Sequence, residues 1–143
     1  MPPSKVIKGS PSTPLSSTTL TAIKVLSLIR IATGAGCLIA PRFTCSLHYH
    51  DVPADQAFIV RMVGVREGLV GALLFSAEDK GTGDGGRRAI RRAVWAGIIA
   101  DAVDIGSLTF GFIMGEVGKP MAGIIGTAAV GAISLAALIL RGL

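Results

Sequence analysis

Charged residues are scarce in this chain. They make up 16% of its 143 residues, against about 25% in soluble domains, and that shortage excludes an ordinary water-facing surface. Aromatic residues are fewer still at 5%, and they form no platform among the basic residues. The net charge of +5 therefore comes without a platform for stacking bases, which argues against a nucleic-acid partner and suits anionic lipid instead. Cys37 and Cys45 are the only cysteines, at a spacing that is neither a C-x-x-C redox pair nor a zinc set, so thiol oxidoreduction is not expected. A disulfide between them would need an oxidising lumen, and two free thiols remain the alternative. The two histidines, His48 and His50, lie outside every apolar stretch, which removes a bis-imidazole haem site. With Asp51 they lack a third dependable metal ligand, so the stretch reads as a polar loop. The G-x-G at residues 81–83 follows no strand and carries no nucleotide fingerprint. No redox cofactor and no metal site is evident.

What the chain has is apolar length: half its residues are hydrophobic and 19 are glycine. One domain is the expectation for this length. Residues 1–19, rich in Pro, Ser and Thr, predict a disordered tail. Residues 20–143 predict an all-α membrane domain, a four-helix transmembrane bundle with helices over 20–40, 57–77, 93–114 and 121–140. Each stretch approaches the ~20 residues that a helix needs to cross hydrocarbon. The polar lead before residue 20 and the lack of a small-residue cleavage site favour an anchor over a removed signal peptide. Pro41 is expected to end the first helix, residues 41–56 to form a loop, and residues 78–92 to form a turn-rich connection.

Orientation follows from the basic residues. Four crossings put Lys5, Lys8, Lys80, Arg87, Arg88, Arg91, Arg92 and Arg141 on one side and leave only Arg42 and Lys119 on the other. Cytoplasmic segments carry that excess, so both termini are expected in the cytosol, with the endoplasmic reticulum as the default membrane. Gly64, Gly68 and Gly71 form one stripe on the second helix, and Gly97 and Gly111 one on the third. Small residues let helix backbones approach closely in lipid. Gly123, Gly126, Ala129 and Gly131 suggest a packing role for the uncharged fourth helix. Trp95 and Tyr49 read as interfacial anchors.

The informative residues are the charges inside these stretches: Arg30, Arg61, Arg66, Glu67, Asp101 and Asp104. Each costs on the order of 2.5–3.5 kcal/mol if it faces lipid, so they are expected to turn inward and pair. Three positive and three negative charges permit a fully compensated network. Asp101 and Asp104 lie about 60° apart on one helical face, with Gly97, Leu108 and Gly111, whereas Arg66 points about 100° away from Glu67 toward a different neighbour. Such a network has two readings. It can merely set helix register, although a buried ion pair is poor glue compared with apolar packing. It can also do chemistry, because closely spaced carboxylates in low dielectric leave one of Asp101 and Asp104 holding a proton, a general acid beside a base.

The run Arg61-Met-Val-Gly-Val-Arg66-Glu67-Gly-Leu-Val-Gly71, followed by Ala96-Gly-Ile-Ile-Ala-Asp101-Ala-Val-Asp104, resembles small four-helix membrane proteins of the DoxX-like group. The likeness spans roughly residues 57–140, with Gly68 standing where the group's usual Arg-Glu-Leu triplet has leucine. Within that group the chain is similar to the xenD-like epoxidases of fungal polyketide and polyketide-peptide pathways. The resemblance implies a membrane tailoring enzyme that epoxidises an apolar polyene drawn from the bilayer, or opens an epoxide with cyclisation. It implies no catalytic residues. Our assignment from the residues has a protonated Asp101 or Asp104 donating to the oxirane oxygen, Glu67 as base, and Arg66 or Arg61, with Arg30, orienting the carboxylates. Epoxidation is harder to derive, because oxygen chemistry calls for a flavin, haem or metal. The alternative is a non-catalytic scaffold or partner of other pathway enzymes, or a proton or cation carrier. No duplicated halves of the transporter kind are visible.

Overall fold

The computed structural model describes residues 15–77 and 84–143. Most of the predicted tail, the G-x-G and the basic residues Lys5, Lys8 and Lys80 lie outside the described residues. Within them the chain is helical and contains no strand: α1 (Ser17–Ile39), α2 (Pro41–Ser46), a 3-10 turn (Ala54–Gln56), α3 (Ala57–Ser76), α4 (Arg87–Ile113) and α5 (Lys119–Arg141).

Helix ends differ from expectation where capping chemistry, not apolarity, sets them. α1 begins at Ser17 and not at residue 20, because the Ser16 side chain accepts from the Thr19 backbone N–H at 3.1 Å. α4 begins at Arg87, six residues before the predicted 93. Gly85 and Gly86 supply positive φ values of 60° and 78°, and Asp84 accepts from the backbone N–H groups of Gly86 and Arg88. Arginine is itself a good helix former, so the basic run becomes the first turns of α4. Residues 41–56 are not simply a loop. Pro41 ends α1 but also opens α2, since its fixed φ suits the first helical position. At the far end of α4, Gly115 adopts φ 76°, and the bonds from Glu116 N–H to Gly111 C=O (2.9 Å) and from Gly115 N–H to Phe112 C=O (3.2 Å) close a Schellman motif. The connection to α5 is therefore short.

α1, α4 and α5 are long and apolar enough to cross a membrane. α3 has the length but concentrates Arg61, Arg66 and Glu67 within its 20 residues. The exterior is apolar: Leu28, Met62, Leu69, Leu73, Phe110 and Val130 are among many large hydrophobic side chains more than half exposed, a surface that suits lipid and not water. Trp95 and Tyr49 also lie on this exterior.

α1 packs on α3, α3 on α4, α4 on α5, and α5 back on α1. The α1–α3 contact is the closest. A Cβ placed on Gly34 would stand 2.6 Å from Gly68 N and 2.7 Å from Gly64 O, and one on Gly71 would stand 2.9 Å from Ser27 O. The glycine stripe predicted on α3 is thus the surface where α1 lies backbone to backbone. The glycines of α5 behave otherwise: a Cβ on Gly123, Gly126 or Gly131 meets nothing within 4 Å, so they mediate no close packing here.

The fully packed core gathers at one end of the molecule. Ala22, Ile23 and Leu26 of α1 meet Leu74 at the end of α3, Ile90 and Val94 at the start of α4, and Ala136 and Ile139 near the end of α5. At the opposite end the helices diverge around a cavity.

Candidate active site

The charged side chains converge where the packed core gives way to that cavity. Arg30, a little past the middle of α1, points from the α3-facing side of the helix and forks. Its Nη1 donates to Glu67 Oε2 at 2.6 Å and its Nη2 to Asp101 Oδ2 at 2.5 Å. One guanidinium thereby ties α1 to α3 and α4. Gly97, one turn before Asp101, makes the room, since a Cβ there would stand 3.2 Å from Arg30 Nη2. Arg66 forms the second fork. It reaches Asp104 through both nitrogens, at 2.8 and 2.5 Å, and Nη2 also lies 3.2 Å from Glu67 Oε1. Bidentate guanidinium–carboxylate pairs are the strongest of such contacts. Arg66 Nε is buried without a partner, the single such side-chain atom among the described residues.

Burial grades across the cluster. Side chains of Arg30, Asp101 and Glu67 are 6%, 8% and 13% exposed, whereas Arg66 and Asp104 are 36% and 38% exposed. The five residues therefore run from a closed core toward an open edge.

Arg61 does not belong to this cluster. It is exposed near the start of α3 and donates from Nε to the Leu38 carbonyl at 3.3 Å. Five residues up the helix from Arg66, it sits on a different face, close enough to the helix end for its long stem to carry the charge outward. The expected balance of three against three is thus replaced by two guanidiniums facing three carboxylates, an excess of one negative charge. Both Glu67 oxygens and both Asp104 oxygens accept from arginine, but Asp101 accepts only through Oδ2.

These five side chains floor a cavity of 460 Å³, within the range of small-molecule sites. Its walls are mainly apolar: Ile29 of α1, Ile59, Val60 and Val63 of α3, and Met121 and Ile125 of α5. α5, read from sequence as scaffold, is a cavity wall. The segment after α1 folds back over the far end, bringing Thr44, Cys45, His48, His50 and Gln56 to the rim. Nothing in the sequence pattern places these residues above the charges, because the return of α2 over the bundle is a tertiary event. Pro41 as a helix opener was the one local signal. Cys37 and Cys45 are both free thiols and both line the cavity.

Ligand oxygens of Glu67, Asp101 and Asp104 come within 4.8 Å of one another, a spacing that a cation can bridge. All three carboxylates already accept from guanidiniums, however, and a cation would enter against two fixed positive charges. The donor set matches proton handling better. Neither His48 nor His50 joins a cluster of three metal-type ligands among the described residues.

The chain matches no family model, no curated protein and no solved structure.

Proposed function

We propose that this chain is an integral membrane tailoring enzyme of fungal secondary metabolism, acting by acid–base chemistry on an apolar polyene-derived substrate that enters from the bilayer. In this reading all four long helices cross the membrane, both termini are cytosolic, and the membrane is that of the endoplasmic reticulum. α3 is the fourth crossing. Its outer face carries Phe58, Met62, Leu69, Leu73 and Phe75, all exposed, while Glu67 and Arg66 turn toward other helices.

One observation carries the proposal: a largely apolar cavity ends on an ion cluster that holds one carboxylate more than it has guanidiniums, and the unpaired oxygen belongs to Asp101. A single bound proton balances the cluster. Asp101 is the carboxyl that holds it, and opening of an epoxide is the reaction this suits best. Asp101 donates its proton to the oxirane oxygen as a C–O bond breaks. A hydroxyl of the same substrate attacks the carbon and loses its proton to Glu67, closing a ring. The carboxyl oxygens lie within 4.8 Å of one another, so one water suffices to return the proton to Asp101. Arg30 and Arg66 hold the carboxylates in place and spread the developing negative charge. The resemblance to the xenD-like epoxidases supports the substrate class and also implies epoxidation, for which an oxygen-activating group would have to be brought to the same cavity.

The test is a metabolite profile of the deletion strain of the source organism, complemented with wild type, Asp101→Asn or Asp104→Asn. Accumulation of an uncyclised intermediate, rescued by wild type and not by a membrane-inserted Asp101→Asn, supports the enzyme. An unchanged profile on deletion rejects it.

A second reading has its own observation. Every carboxylate of the cluster has an arginine partner, as a network that only sets helix register would require. The chain is then a scaffold for other enzymes of the pathway, and Asp101→Asn supports normal product formation wherever it folds.

A further inference from the structure

Most polar groups of the cavity lie toward its two ends, with Thr33 and Cys37 on the α1 wall between them. At the floor, Asp101 Oδ1 accepts no hydrogen bond from the described residues. At the rim, His48 Nδ1 lies 2.8 Å from the Thr44 carbonyl. A carbonyl only accepts, so Nδ1 carries the hydrogen and Nε2 of the neutral ring is a bare acceptor. Gln56 also lines the cavity and offers an amide. Between floor and rim the walls are mainly Ile29, Ile59, Val60, Val63 and Ile125. The separation follows from helix rise. Arg30 and Cys37, which mark the floor and the upper wall on α1, are about 10 Å apart, and Glu67 and Gln56 along α3 are about 16 Å apart.

The geometry points to a substrate that is an elongated apolar chain with an oxygen function at each end, one accepting from the protonated Asp101 and the other, a hydroxyl, donating at the rim to His48 or Gln56. The inference rests on the cavity being the substrate site. It assigns His48 and Gln56 to recognition: they fix how deep the molecule sits and so which of its carbons reaches the acid, without touching the reacting atoms. A molecule with a hydroxyl at one end only fills the same apolar walls but leaves one polar end of the cavity unpaired, which costs affinity.

The experiment compares 1,10-decanediol with 1-decanol on the full chain in lipid nanodiscs, with free concentrations corrected for partition into empty nanodiscs. The diol is expected to bind about tenfold more tightly than the mono-alcohol, the worth of one hydrogen bond of ordinary strength. In His48→Leu/Gln56→Leu the diol should fall to the level of the mono-alcohol, while the mono-alcohol is unchanged. Asp101→Leu, which removes the hydrogen-bonding group at the floor, should weaken both probes. Equal affinity of the two probes for wild type, with both weakened by Asp101→Leu, overturns the two-ended substrate and leaves the cavity as the site. No saturable binding of either probe overturns the site and this inference with it. Binding in which the rim variant keeps the diol preference also overturns it.

Discussion

Arg30 and Asp101 meet at 2.5 Å across 71 residues of chain, and no other side chain among the described residues donates to Asp101. Because the same guanidinium holds Glu67 at 2.6 Å, Arg30→Met strands Asp101 and leaves Glu67 only its 3.2 Å contact with Arg66. Breaking a buried pair from one side typically costs about 3–5 kcal/mol. We expect a loss of that order in a reversible detergent-unfolding titration. Adding Asp101→Leu should recover part of it, since an apolar pair leaves no charge behind. A double variant no better than Arg30→Met alone would show that the pair is not what makes Arg30 matter.

The α1–α3 seam supplies a prediction from two neighbouring glycines. A Cβ on Gly34 would run into backbone atoms of Gly64 and Gly68 at 2.6–2.8 Å, whereas a Cβ on Gly68 meets nothing within 4 Å. Backbone cannot yield as a side chain can, so Gly34→Ala should force the helices apart and destabilise by about 1–3 kcal/mol. Gly68→Ala should be neutral or stabilising by up to about 1 kcal/mol through helix propensity. Thermal unfolding of the two variants in one detergent decides it. Similar behaviour would mean that α1 does not approach α3 as closely as described.

That seam also shows what the sequence made legible. Spacing alone placed Gly64, Gly68 and Gly71 on one stripe, and cost alone required charges inside apolar stretches to turn inward and pair. Both arguments need only helical periodicity and the penalty for charge in hydrocarbon. Arg61 escaped them because depth, not membership of an apolar stretch, decides whether an arginine must pair, and its side chain is long enough to leave. The six-residue α2 and the early start of α4 escaped because caps and turns set them: Pro41 in one case, Asp84 with Gly85 and Gly86 in the other. The rim residues His48 and Gln56 were beyond any local argument. Their position over the cluster depends on how α2 returns across the bundle.

Arg61 and Arg66, five residues apart on α3, should separate cleanly in function. Arg66 grips Asp104 with two nitrogens, while Arg61, among the described residues, donates only to the Leu38 carbonyl. Complementing the deletion strain with Arg61→Ala should restore product to near wild-type amounts. Arg66→Ala should lower it by at least about tenfold, the usual scale for a group that positions or stabilises charge in a site. Arg66→Lys should rescue little, because an ammonium cannot reproduce the fork. Equal effects of Arg61→Ala and Arg66→Ala would contradict the sorting of the two arginines.

Cys45 reports on topology and on the cavity together. It stands on α2, outside the long helices, and burial pushes its thiol up from the ordinary range. A raised thiol is less ionised at neutral pH, so alkylation should be slow at pH 7 and should accelerate as pH rises through and beyond the range where free thiols react. In a Cys37→Ser background, a membrane-impermeant maleimide should leave Cys45 untouched in intact microsomes and label it after permeabilisation, because the proposed orientation puts α2 in the lumen. Labelling of intact microsomes would invert the orientation. Since Cys45 lines the cavity, 1,10-decanediol should slow its alkylation, while the rate for a free thiol in the same mixture stays constant. An unprotected Cys45 under saturating diol would place the probe elsewhere and remove the cavity from the argument.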